Sequence, residues 1–257
     1  MPARRPGIRF DPDWGTTVFT LLLFPVMVGL GFWQLQRAEE KAVIEARWEQ
    51  RQAEAPVPLA RVWGDSAAAL NQAAVTLSGV FLQDEYFLLD NRIQGGRFGY
   101  EVIAIMVLDA GAGLALVNRG WIAADPARLA LPPVPAVSGR VELTGHVYVA
   151  PGAPYLLAEQ TLGTGWPKLL QAVEMEKILP VAEAVSGQRV FPYPVRIDAG
   201  EPGALVVAWQ VVNMSPDKHR AYAAQWFTMA LFLLVFFVMR SSNLWQLVKS
   251  SGGDRRK

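Results

Sequence analysis

The chain has no cysteine among its 257 residues. That excludes disulfides, thiolate catalysis, iron–sulfur ligation and c-type haem attachment, and it removes the soft ligands of a copper carrier. Histidine is scarce, at His146 and His219 only. Net charge is nearly absent, +1 from 24 basic and 23 acidic residues, so no field favours nucleic acid as a partner. Enzyme signatures are missing too. There is no G-x-S-x-G elbow, no H-E-x-x-H, no phosphate-binding glycine loop ending in Lys-Ser/Thr, and no EF-hand loop. The glycines of "GGRFG" (95–99) do not join a strand to a helix in dinucleotide-binding style, and they read as a turn. Asp84 and Glu85 are adjacent acids that a strand would point to opposite faces, so they read as solvated charges. No catalytic residue is assigned, and an enzyme is not expected.

What is abundant is apolar sequence, 52% of residues, concentrated in two runs near the ends. Trp14–Gln36 and Ala221–Met239 contain no charge. As helices they extend roughly 35 Å and 29 Å, enough for a hydrocarbon core of about 30 Å. Trp14, Phe32 and Trp33 lie near the ends of the first, and Tyr222, Trp226 and Phe227 near the start of the second, where interfacial aromatic residues belong. The first run is too long for a cleaved signal, and "RAEEKAVIEAR" continues it as a helix, so an uncleaved anchor is expected. Arg4, Arg5 and Arg9 mark tail 1–13. Arg240, Lys249, Arg255, Arg256 and Lys257 mark tail 240–257. The positive-inside rule then puts both termini in the cytoplasm and 37–220 in the periplasm of a bacterial inner membrane, with spans at 14–36 and 221–239.

Between the spans the pattern changes. A helical stretch runs on from the first span until Pro56 and Pro58 end it, with Ile44 and Trp48 on one face for the domain or the membrane surface to cover. Segments 74–82, 100–108, 113–122, 139–149 and 203–213 are rich in β-branched and aromatic residues and read as strands. "NRIQGGRFGY" (91–100) reads as a hairpin loop, "LDAGAGL" (108–114) as a tighter turn, and 173–185 as a short helix broken by Pro180. The expected fold is a membrane protein with two transmembrane α-helices, N- and C-terminal. They flank a mainly antiparallel β (α+β) extramembrane domain, an antiparallel sheet or open barrel.

The two histidines differ in setting. Alternation along "LTGHVYV" puts His146 on the polar face of a strand, as a surface or cross-strand side chain. His219 heads the second span and shares a helix face with Tyr222, Ala223 and Trp226. The small Ala223 and Ala230 leave room for a flat ligand or for a close helix. Lys218 and Arg220 stand beside the histidine, where they can pair with anionic groups such as haem propionates. Imidazole is an iron ligand, so two readings stand open: a haem-type ligand, or an interfacial histidine in an aromatic belt.

Four stretches in order, "GFWQLQRAEEK" (31–41), "LDNRIQGGRFGYEVI" (89–103), "VNRGWI" (117–122) and "DKHRAYAAQWF" (217–227), resemble the Surfeit-locus family of cytochrome c oxidase assembly factors. From 123 to 200 only "GWPKLLQ" (165–171) stands out. The resemblance implies a non-enzymatic factor, a chaperone of the respiratory chain. It would bind haem a transiently and assist its insertion into cytochrome c oxidase subunit I, with haem a synthase as a further partner. It implies His219 as the iron ligand, with Tyr222 and Trp226 beside it. From the first span, Trp33 would serve as a wall and Arg37 would face propionates. Gly29, Gly31 and Gln34 lie near them. Arg119 and Trp121 would dock the oxidase or cover haem, unless they are a buried sheet-end pair. The rival classes are a scaffold that holds nascent oxidase subunits without haem, and a membrane-anchored periplasmic enzyme.

Overall fold

The computed structural model describes residues 9–127, 129–152, 159–209 and 214–243. The chain divides into two compact units, Met1–Ala46 with Val211–Lys257, and Arg47–Gln210.

The first unit is a pair of helices. Helix α1, Trp14–Gln52, is continuous through Pro25 and past the charge-free run, and its last turns belong to the second unit. Helix α5, Pro216–Arg240, starts behind Ser215 with proline at its first position, where the missing N–H costs nothing. Both are long and apolar enough to cross a membrane. Their contact side is built from small residues. Gly31, Ala223 and Ala230 are buried, and a Cβ added at Gly31 would lie 2.5 Å from the Phe227 ring. Of the two uses expected for these small residues, close helix packing is the one realised.

The second unit is built on a sheet. Its strands are β1 (Val57–Pro58), β2 (Ala74–Gln94), β3 (Arg97–Leu108), β4 (Leu114–Ala123), β5 (Arg140–Val147), β6 (Lys168–Leu170) and β7 (Val195–Ile197). Three helices accompany them: α2 (Leu59–Val62), α3 (Ala67–Leu70) and α4 (Met175–Ser186). Strand β2 pairs antiparallel with both β3 and β5, while β4 pairs parallel with β7 and β7 antiparallel with β5. The path β2–β3–β4–β7–β5 therefore returns to β2, a closed ring rather than an open sheet. The mainly antiparallel α+β character is as expected.

Two layers of side chains explain the unbroken apolar run of β3. Ala104, Met106, Ala115, Val117, Leu143, Val147, Val195 and Ile197 fill the ring. The alternate residues Ile103, Ile105, Leu114 and Leu116 face outward, under Ile178 and Ala182 of α4. With both faces covered, period-2 polarity disappears.

Several boundaries differ from the sequence reading. Strand β2 runs on to Gln94, so 91–100 is not a loop. The turn is Gly95–Gly96 alone, with φ of +55° and +75°, the two positive values of a tight primed hairpin turn. Segment 203–209 is not a regular strand. Only Val206 bridges to Trp121, on the stretch of β4 beyond its pairing with β7 at Val117 and Asn118; 210–213 lies outside the described residues. Pro180 does not break α4. It lies on the exposed side of the helix, as does Glu176, the residue whose carbonyl a proline at this position cannot serve. His146 is on the polar face of β5 but is 5% exposed, because the Trp48 indole covers it at 5.2 Å between ring centroids.

Candidate functional site

In the first unit the first turn of α5 presents His219 to α1. Its Nδ1 lies 2.7 Å from Gln34 Oε1. An amide oxygen only accepts, so Nδ1 carries the proton and donates it, which leaves the lone pair on Nε2. Nε2 has no hydrogen-bond partner among the described residues. Tyr222 and Trp33 are exposed, and Trp226 is half-buried. Phe32 and Phe227 meet edge to face at 5.3 Å between α1 and α5. Arg37 lies over the Trp33 ring at 5.8 Å and pairs with Glu40 at 2.7 Å. Arg220 pairs with Asp217 at 2.9 Å. Of the candidate ligand residues, His219 is in hydrogen-bond contact across the helices with Gln34, and Arg37 stacks on Trp33 within α1. Gln34 is one of two amides, with Gln36, near the end of an otherwise apolar span, and an amide there is the sequence signal for a polar partner.

In the second unit the motif pieces converge on the outer face of the ring. Glu101 accepts from Asn118 Nδ2 at 2.7 Å and pairs with Arg92 at 3.5 Å. Asn118 Oδ1 accepts from the Gly120 N–H at 3.1 Å, and Trp121 Nε1 donates to the Arg92 carbonyl at 3.0 Å. Thus "NRIQGG", "GYEVI" and "VNRGW" are stitched to one another. Arg119 is buried. Its guanidinium donates to the carbonyls of Gly203 and Pro135, lies 5.6 Å from the Phe81 ring centroid, and burial holds its pKa below the ordinary value. Arg119 and Trp121 are thus a buried and half-buried sheet-end pair with internal partners.

The same face carries His146 and Arg196, paired across β5 and β7. His146 Nδ1 is 2.9 Å from Asp198 Oδ1, and its Nε2 is buried with no partner among the described residues. Thr144 Oγ1 lies within hydrogen-bond distance of Asp198 at 2.9 Å and Glu201 at 2.7 Å. Burial alone would raise the Asp198 carboxyl. The hydrogen bond and charge of His146, with the Thr144 hydrogen bond, outweigh it and hold the pKa below its ordinary value. A depressed folded-state pKa adds stability above the unfolded carboxylate value of about 3.9, and that stability is lost as pH falls through the folded value. Wild type is therefore expected to melt above Asp198→Asn at pH 7, and the difference should close on acidification below about pH 4. Parallel thermal melts of the two proteins across that range check it. No group of three or more His, Asp or Glu able to hold a metal occurs among the described residues.

The SURF1 family model matches residues 21–231, which takes in most of α1, the whole ring and most of α5. The chain belongs to the SURF1 family. It is 35% identical over 113 residues to a SURF1-like protein of Dictyostelium discoideum, a match covering 40% of this chain and 42% of that one. It is 30% identical over 108 residues to a SURF1-like protein of Rickettsia bellii, covering 41% and 43%. It is 29% identical over 121 residues to the cytochrome oxidase assembly protein SHY1 of Saccharomyces cerevisiae, covering 46% and 31%. The matches thus span less than half the length of each of these relatives. The family match reaches both the His219–Gln34 contact and the stitched face of the ring.

Proposed function

We propose that this chain is an assembly factor for cytochrome oxidase. In this reading it holds haem a at His219 and assists its insertion into cytochrome c oxidase subunit I, with haem a synthase as the supplying partner. Membership of the family and the printed role of the yeast relative support the assembly role. The two apolar helices and that relative fit a membrane location. The proposed topology keeps both tails cytoplasmic and the ring domain periplasmic.

The observation that carries the haem reading is the 2.7 Å contact from His219 Nδ1 to Gln34 Oε1. Metal-ligating imidazoles characteristically donate their second N–H to an oxygen, which fixes the tautomer and raises ligand basicity. The residues present fit the group on one condition. The small residues between α1 and α5 are already filled by packing, so the ligand would lie against the exposed side, beside Tyr222 and Trp33, rather than in a slot between the helices. Haem a would supply an iron able to accept an imidazole ligand, anionic propionates and a long apolar tail suited to lipid. His219 would bind the iron through Nε2, Trp226 and Trp33 would offer apolar walls, and Arg37 would offer a guanidinium to the propionates once it leaves Glu40. An open site suits a carrier that must release its cargo.

The test is an optical spectrum of detergent-purified protein co-expressed with haem a biosynthesis. Wild type is expected to carry stoichiometric haem, His219→Ala none, and Gln34→Leu a reduced content with a shifted Soret band, all three equally folded by circular dichroism. Equal haem content in wild type and His219→Ala would overturn ligation. If none of the three carries haem, the haem-free scaffold takes its place.

A further inference from the structure

The segment "GWPKLLQ", which neither the helix pair nor the stitched face uses, borders a cleft of about 500 Å³ in the second unit. Its walls include Leu131, Thr161, Trp166, Lys168, Leu169 and Gln171. Alternation along β6 turns Lys168 and Leu170 inward and leaves Leu169 47% exposed. Lys168 is 7% exposed. Its ammonium donates to the Gly163 carbonyl and lies 5.1 Å from the centroid of the Trp166 ring. No carboxylate among the described residues pairs with it. Glu159, which also lines the cleft, lies 3.6 Å from Lys177 instead, and Glu174 lies 3.5 Å from Lys177. Among the described residues one oxygen acceptor faces its three N–H donors and no counter-charge faces this buried cation, an arrangement proteins rarely leave uncompensated.

The cleft is preformed. Gln160 is buried and spends its whole amide on the loop. Its Oε1 accepts from the N–H of Gln171 at 2.6 Å and of Ala172 at 3.1 Å, and its Nε2 donates to Ala172 O at 3.1 Å and Glu174 at 3.0 Å. The volume falls in the range of small-molecule sites, about 300–1,000 Å³. Leu131 and Leu169 are apolar walls of the cleft that Lys168 also lines.

We propose that this cleft binds a small organic carboxylate, its oxygens on the Lys168 ammonium and its aliphatic part against Leu131, Leu169 and Trp166. The proposal stands apart from the haem reading.

The experiment is thermal unfolding of the full detergent-solubilised chain with sodium butyrate, sodium acetate or sodium phosphate, each against sodium chloride at equal ionic strength. Butyrate is expected to raise the midpoint of wild type more than acetate or phosphate does. In Lys168→Met the apparent affinity for butyrate should fall about tenfold or more, the loss of one charge-assisted hydrogen bond. Gln171 is exposed at the cleft, so Gln171→Glu adds a repelling carboxylate without touching the core, and it should weaken butyrate in the same direction. If Lys168→Met does not fold, the Gln171→Glu comparison decides alone. Equal responses of the folded variants and wild type would overturn the site. A phosphate response matching that of butyrate would overturn the carboxylate assignment.

Discussion

Replacing Gly79 with alanine is expected to cost at least about 3 kcal/mol, at the severe end of single substitutions. Gly79 and Val80 are the residues at which β2 passes from one partner to the other. Gly79 is paired with Leu108 of β3 and with Val141 of β5 at once. An added Cβ would run into the Val107 carbonyl oxygen, with Val107 C at 2.9 Å and Leu108 Cα at 3.1 Å. These are backbone atoms held by ladder hydrogen bonds, so no side chain can swing away to make room. The ring would have to open at the strand that closes it. Gly64→Ala is the control, since nothing lies within 4 Å of a Cβ there, and it should change stability by less than about 1 kcal/mol. Denaturant midpoints of the two variants, followed by tryptophan fluorescence, test the contrast. Equal midpoints would mean that the β3 backbone at Val107 and Leu108 does not approach Gly79 this closely.

Phe87→Ala should be comparably damaging, about 3–5 kcal/mol. Phe87 is 0% exposed and meets Trp166 edge to face at 5.2 Å. It belongs to the outer layer, with Leu89, Ile103, Ile105, Leu114 and Leu116 under Ile178 of α4. Truncation leaves a cavity between sheet and helix, and the sheet, held on its other face by the ring core, cannot collapse into it. Leu169→Ala, at a 47% exposed position, should stay within about 0.5 kcal/mol. A Phe87→Ala loss no larger than that of Leu169→Ala would refute the two-layer description.

Much of the architecture was legible in the sequence, and the reasons are local. A helix that meets lipid needs an unbroken apolar stretch, and Trp14–Gln36 and Ala221–Met239 show it in composition alone. The hairpin at Gly95–Gly96 was legible as a turn because positive φ favours glycine. The bounds of β2 were not. Asp84, Glu85, Asp90 and Asn91 look like loop residues, yet they sit in a strand whose pairing with β3 shifts between Phe81 and Tyr86 and again between Leu89 and Arg92. Irregular pairing of this kind accepts polar residues that a regular buried strand would not.

For the candidate site the division falls in the same place. Composition determined that thiol chemistry is excluded, that two apolar helices flank a β-rich domain, and that a histidine stands at the head of the second helix. Only the tertiary structure gave that histidine its partner, Gln34, 185 positions away in the chain. It also buried His146 under Trp48, turned Arg119 inward to the carbonyls of Gly203 and Pro135, and closed the ring through β2–β5 and β4–β7. Hydropathy and propensity act over a few neighbouring residues, so they are written along the chain. Register, crossover and the identity of a buried polar group's partner depend on which distant segments meet, and that is decided only when the whole core packs.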